Sequence, residues 1–120
     1  MITHVKFVGI PVTDQERALK FYTEQLGFEV LTDSPMGPQR WIELRCGRAQ
    51  TGVVLFTPEG HEDRVGTFFN GAFATDDVFA THAELTRRGV EFIKPPQKAP
   101  WGTFAAFKDS EGNQFVLSSR

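Results

Sequence analysis

The order of apolar and polar positions occurs twice along the chain. "FVGIPVTDQ" (residues 7–15) and "FNGAFATDD" (residues 69–77) each run from Phe through a short apolar stretch into Thr-Asp or Thr-Asp-Asp. Setting each residue against the one 62 positions later matches Phe7 with Phe69, Gly9 with Gly71, Thr13 with Thr75, Asp14 with Asp76, Ala18 with Ala80, Gly27 with Gly89 and Glu29 with Glu91. A period of that size marks a duplicated supersecondary unit. Strands are predicted over residues 5–12 and 67–74, each leading into a helix. Thr13 and Glu16 have the spacing of a capping box, and Asp76 with Asp77 puts negative charge at the positive end of the second helix. Gly27 and Gly89 supply the left-handed residue that ends each helix, and "FEVLT" and "VEFIK" read as the strands that follow.

Both halves then enter proline-rich stretches predicted as loops, "DSPMGPQRW" and "KPPQKAPWG", which reach Trp41 and Trp101. Hairpins follow in "WIELRCGRAQTGVVLFT" and "TFAAFKDSEGNQFVLS", the second turning at "DSEGN" with Gly112 available for positive φ. Each half therefore reads β-α-β-β-β: a first module over residues 1–57, a charged linker over 58–66 and a second module over 67–120, within one domain. Alternation predicts that Val8, Ile10, Val12, Val54, Phe56, Phe115 and Leu117 lie under the helices. The opposite face then carries Phe7, Gly9, Pro11, Val53, Leu55, Thr57, Gln114, Val116 and Ser118. No helix remains to cover that half-apolar face, which is the arrangement of a sheet that wraps a ligand or meets another subunit.

Composition narrows the classes. The chain has 120 residues, 40% hydrophobic and 23% charged, with 12 Phe, so an ordered aromatic core is expected rather than disorder. A net charge of −2 offers no electrostatic footprint for nucleic acid or an anionic membrane. Cys46 is the single cysteine, which rules out an intramolecular disulfide and any zinc site needing two thiolates. The start, "MITHVKFVGIPVTD", has neither a signal-peptide pattern nor a membrane-length apolar run, and the expected location is the cytoplasm.

The stretches "VTDQERALKFYTEQLGFEV", "ATDDVFATHAELTRRGVEF" and "FKDSEGNQFVLS", within a duplicated β-α-β-β-β pattern, resemble the vicinal oxygen chelate superfamily. That superfamily includes glyoxalase I, extradiol dioxygenases, fosfomycin-resistance enzymes and bleomycin-resistance proteins. The resemblance implies an α+β fold in which tandem βαβββ modules form a curled mixed sheet around a cavity, commonly completed by a homodimer. It also implies four metal-ligand positions, carried here to Phe7, Leu55, Asn70 (or its neighbour Phe69) and Val116. Hydrocarbon side chains have no donor atoms for a divalent ion, and one neutral amide does not replace a hydration shell. No metal or other cofactor is therefore expected.

The expected partner is a small, largely apolar organic molecule. Phe7, Leu55 and Val116 are its candidate floor, Asn70 and Gln114 its orienting amides, and Trp41 and Trp101 its covering rings. The alternative for both tryptophans is a dimer interface, and for both amides a hydrogen bond to each other or to backbone. Glu43 is the candidate for a general base or a metal contact, set against a structural ion pair with Arg40 or Arg45. An enzymatic alternative stays open: a glyoxalase-like lyase or isomerase, or a dioxygenase, using a divalent metal at a non-standard site, with Glu43 and His4 as contributors. A third possibility is a scaffold whose cavity is filled. His61 and Glu62 read as surface groups, His82 as a helix residue that covers the sheet's outer side or faces water, and Cys46 as a hairpin residue.

Overall fold

Short β-branched and aromatic stretches punctuated by Gly and Pro fold as strands, with one helix ahead of each set of three. The computed structural model describes residues 1–119. The elements are β1 (Phe7–Pro11), α1 (Gln15–Lys20, continued as a π-helical turn over Phe21–Gln25), β2 (Glu29–Met36), β3 (Gln39–Arg45) and β4 (Gly52–Phe56). A 3₁₀ turn at Glu62–Arg64 precedes β5 (Asn70–Ala74), α2 (Val78–Arg87), β6 (Phe92–Ala99), β7 (Gly102–Lys108) and β8 (Gln114–Ser119). The chain divides into two units, Met1–Val65 and Gly66–Arg120, each holding one four-stranded mixed sheet. Strand order is β1-β4-β3-β2 in the first unit and β5-β8-β7-β6 in the second. β1 pairs parallel with β4 and β5 parallel with β8, while the other neighbours are antiparallel. The α+β class and the duplicated β-α-β-β-β order are as predicted.

Both proline-rich stretches predicted as loops are mostly strand, with turns only at Gly37–Pro38 and Pro100–Trp101. β2 runs on to Met36 and β6 to Ala99, so Pro35, Pro95 and Pro96 all lie within strands. Proline has no N–H for a ladder, but β2 and β6 are edge strands, where one side of the backbone needs no partner. Register shifts between Val30 and Thr32, and at two places between Phe92 and Gln97, absorb the misfit.

The helix caps differ from the predicted capping box. Asp14, not Thr13, caps α1, its carboxylate accepting from the Arg17 N–H at 2.9 Å; Asp77 caps α2 by accepting from Ala80 at 3.0 Å. Each places a negative charge at a helix N-terminus. Gly27 (φ 80°) and Gly89 (φ 89°) end the helical segments, as predicted. Cap and glycine are 13 residues apart in the first unit and 12 in the second. The additional residue is taken up by the π-helical turn, where the Leu26 N–H reaches back five residues to the Phe21 carbonyl at 3.1 Å.

This insertion corrects the ungapped repeat ahead of the helices. Matching cap to cap sets Ile10 against Phe73 and Phe7 against Asn70, 63 positions apart. Phe69 and Gly71, which the 62-residue offset matches with Phe7 and Gly9, lie instead on the helix side. A Cβ on Gly71 would come within 3.0 Å of the Phe115 ring, and the rings of Phe69 and Phe115 are 5.6 Å apart.

In the first unit Ile10, Val12, Ile42, Leu44 and Leu55 are 0–1% exposed and face α1, whose contributions are Ala18, Phe21 and Tyr22. In the second, Phe73, Phe107, Phe115 and Leu117 meet Val78 and Leu85 of α2, with Phe107 and Phe115 stacked 5.7 Å apart. Burying each such side chain is worth about 1.5–3 kcal/mol, which fixes which face of each strand turns inward. Gln15 ties α1 to the sheet: its amide donates to the Arg40 and Leu55 carbonyls at 2.8 and 2.9 Å and accepts from the Arg40 N–H at 3.0 Å. At the β7–β8 turn the buried Asp109 carboxylate accepts from the backbone of Glu111 and Asn113 and from the Asn113 amide, with Gly112 at φ 88°.

Candidate functional site

The strand register decides which side chains lie on the face opposite each helix. Ile10 lies beside Leu55, and Leu55 beside Ile42, so these three share the helix side. The predicted facing of β4 is therefore inverted: Val53 and Leu55 point toward the helix, Val54 and Phe56 away from it. Leu55, expected on a ligand floor, is 0% exposed in the core. Phe56, the partner of Pro11 in the parallel pair, lies on the helix-free face, with its ring over Gly9. A Cβ on Gly9 would meet that ring at 3.0 Å, so glycine makes room for the phenylalanine.

Phe7, Trp41 and Glu43 come together on the helix-free face of the first unit. Phe7 and Trp41 pack edge to face, with ring centroids 5.4 Å apart at 84°, and Val54 sits between Gly9 and Glu43 in the ladder. The Glu43 carboxylate extends over Gly52, where a Cβ would come within 3.0 Å of Oε2. The structural ion pair considered for Glu43 is not formed. Arg40 turns to the helix side and binds Asp33 (2.7 Å) and Glu16 (2.8 Å), and Arg45 binds Glu29 at 2.6 Å. Arg40 holds the Asp33 carboxyl below its ordinary value, chiefly through its hydrogen bond. Among the described residues Glu43 has neither an ion-pair nor a hydrogen-bond partner.

On the helix-free face of the second unit, Asn70 and Gln114 are direct neighbours across the β5–β8 pair, and Val116 lies beside Ala72 and Ala106. Both amides are exposed, and among the described residues they bond neither to each other nor to backbone. Trp101 is 63% exposed at the β6–β7 turn and stacks on Phe104 at 5.1 Å; Phe104 stands beside Ser118. A depression of about 560 Å³ next to this strand pair is lined by residues including Ala72, Ala74, Asp76 and Ser118.

The remaining candidates do not assemble into a second site. His4 is exposed beside the Thr3 hydroxyl, His61 and Glu62 lie at the exposed 3₁₀ turn, and His82 packs against Phe92 at 4.5 Å. Cys46 is a free thiol, and burial pushes its pKa up, away from the reactive thiolate. Among the described residues no three His, Cys, Asp or Glu side chains come together. The residues at the metal positions implied by the resemblance do not fit a divalent ion. Phe7 and Val116 carry no donor, Asn70 carries one amide oxygen, and β4 offers Leu55 or, on the correct face, Phe56.

Sequence reasoning missed Phe56 and Phe104. The run "VVLFT" is apolar at four successive positions, so alternation gives no phase there; the pairing of β1 with β4 supplies it.

Comparison with known proteins bears on the whole chain. The family model of the Glyoxalase/Bleomycin resistance protein/Dioxygenase superfamily matches residues 2–117. YetH of Bacillus subtilis (strain 168), an uncharacterized protein, is 36% identical over 121 residues, covering 98% of each chain. TnmS3, an antibiotic binding protein from Streptomyces sp. CB03234, is 38% identical, with a TM-score of 0.89 over 98% of this chain and 96% of its own. A superfamily member from Sphaerobacter thermophilus DSM 20745 is also 38% identical, with a TM-score of 0.88 over 100% of this chain and 99% of its own. With the paired βαβββ units and these end-to-end matches, the chain belongs to the glyoxalase/bleomycin resistance protein/dioxygenase superfamily.

Proposed function

We propose that this protein binds a small, largely apolar organic molecule on its helix-free sheet faces, without the divalent metal that the family resemblance implies. The observation that carries the reading is the edge-to-face pair of Phe7 and Trp41 on the sheet face that α1 does not cover, with Phe56 over Gly9 beside it. Aromatic side chains bury large areas at low entropic cost, at about 25 cal/mol per Å² before ordering is subtracted. On the second unit's own helix-free face, Asn70 and Gln114 offer donors and acceptors for a carbonyl or hydroxyl, Val116 adds apolar surface, and Trp101 stacks on Phe104 as a flat group. The antibiotic-binding activity named for TnmS3, at 38% identity, supports the same class of function here. A resistance or sequestration role follows from binding alone and needs no turnover.

The donor set argues against the family's Lewis-acid chemistry at the usual positions. Glu43 is the carboxylate that a non-standard metal or proton-transfer reaction would draw on. The working assembly in this reading is a cytoplasmic homodimer, supported by exposed apolar residues along the edge strands (Val30, Leu31, Met36 and Ile93) and by the lone cysteine. Sedimentation at micromolar concentration checks it: a dimer mass is expected, and a monomer removes this part of the reading.

The test of function is a fluorescence titration with the neutral aromatic dye 1-aminoanthracene, alongside thermal melts with Ni²⁺, Zn²⁺, Fe²⁺ and Mn²⁺. Saturable dye binding that weakens at least about tenfold in Trp41→Ala is expected, with no metal raising the melting temperature. A stoichiometric metal-dependent rise would overturn the metal-free reading. Dye binding indifferent to Trp41 would overturn the site.

A further inference from the structure

The charge on the first unit's helix-free face is not balanced. Glu29, Glu43 and Arg45 share this face; Arg45 donates to Glu29 at 2.6 Å, and that pair is neutral. Among the described residues no cation pairs with Glu43, because Arg45, two residues along the same strand face, is held by Glu29. Glu43 stands next to Trp41 by one alternation of β3, beside Val54 across the ladder and over the bare backbone of Gly52. Arg40, one residue from Trp41, is bound on the other face by Asp33 and Glu16, so it does not neutralise Glu43.

A half-buried carboxylate with no cation of its own beside aromatic rings is complementary to a positive charge carried by a flat ring system. The carboxylate accepts a charge-assisted N–H bond, and the electron-rich ring faces of Phe7 and Trp41 attract the same cation. An anion gains neither interaction and meets a like charge.

We infer that the first unit's helix-free face selects planar aromatic cations, protonated amines or ring nitrogens, with Glu43 as the residue that receives the charge. This rests on the binding function proposed above and narrows its ligand class.

Three dyes of similar three-ring shape separate the two ideas: 9-aminoacridine (cationic at pH 7.5), 1-aminoanthracene (neutral) and anthracene-9-carboxylate (anionic). Dissociation constants are measured for the wild type, Glu43→Gln and Glu43→Asp. In Glu43→Gln the affinity for 9-aminoacridine should fall about tenfold relative to that for 1-aminoanthracene, the size of one charge-assisted contact. Anthracene-9-carboxylate should bind better than it does to the wild type. A melting temperature and far-UV circular dichroism like those of the wild type show that the variant is folded; should it not fold, Glu43→Asp carries the test by keeping the wild-type order of the three dyes. An equal cation-to-neutral ratio in wild type and Glu43→Gln overturns the charge assignment while leaving the binding function intact. Failure of all three dyes to bind the wild type overturns both.

Discussion

The two units share a strand order and differ in what they place on the face opposite the helix. In the first, the strands present large rings and a carboxylate, Phe7, Trp41, Phe56 and Glu43; in the second they present mainly small groups and amides, Ala72, Ala74, Ala106, Asn70 and Gln114, with Phe104 under Trp101 near the β6–β7 turn. On the helix sides the contrast reverses. The first unit packs aliphatic residues, Ile10, Ile42, Leu44 and Leu55, whereas the second stacks Phe73, Phe107 and Phe115. Duplication has kept the scaffold, and the strands' buried helix side is aliphatic in the first unit and aromatic in the second. The lesson is that the helix-side core answers to stability, while the helix-free face is where the two copies have diverged chemically.

The largest expected effect lies within one strand. Leu55→Ala should cost about 2–5 kcal/mol, because it opens a cavity under α1; Phe56→Ala, its neighbour on the other face, should cost about 1 kcal/mol or less but weaken dye binding. Urea unfolding of both variants measures the difference, and equal losses would break the distinction between the faces. Next in size, the two helices should depend equally on their caps. Asp14→Ala and Asp77→Ala should each cost about 1 kcal/mol, whereas Thr13→Ala should not match Asp14→Ala in the same unfolding assay.

The smallest effect is the pH dependence contributed by an exposed ion-pair cluster on the second unit's helix. Glu84 is held down to about 2 by hydrogen bonds from Arg87 and Arg88, against an ordinary 4.5. Its folded-state value is lowered, so its contribution is fully present above pH 4.5 and is lost as the pH falls toward 2. The group is exposed and screened by solvent, and Glu84→Gln should flatten the acid side of the stability curve only slightly. Thermal melts between pH 2 and pH 6 compare the two proteins.

Much of this architecture was legible in the sequence because the repeat and the helix-ending glycines are local signals. Gly27, Gly89 and Gly112 all adopt the left-handed conformation expected of them. The phase of β4 was not legible, since four apolar residues in a row carry no period-2 signal and only pairing with β1 fixes it. Pro35, Pro95 and Pro96 misled for a related reason: a proline signals a loop unless the strand is an edge, and edge position is a tertiary fact. The one-residue insertion in the first helix was likewise invisible without its π-turn hydrogen bond. At the site, residue types at Phe7, Trp41 and Glu43 pointed to one face, while the lack of a cation for Glu43 required knowing where Arg40 and Arg45 turn.

The most direct measurement follows the indole N–H resonances of the two tryptophans in ¹⁵N-labelled protein, assigned with Trp101→Phe, during titration with 1-aminoanthracene. The account predicts that the Trp41 signal shifts saturably and that the shift is lost in Phe7→Ala. A Trp41 resonance that stays fixed while the dye demonstrably binds would contradict it.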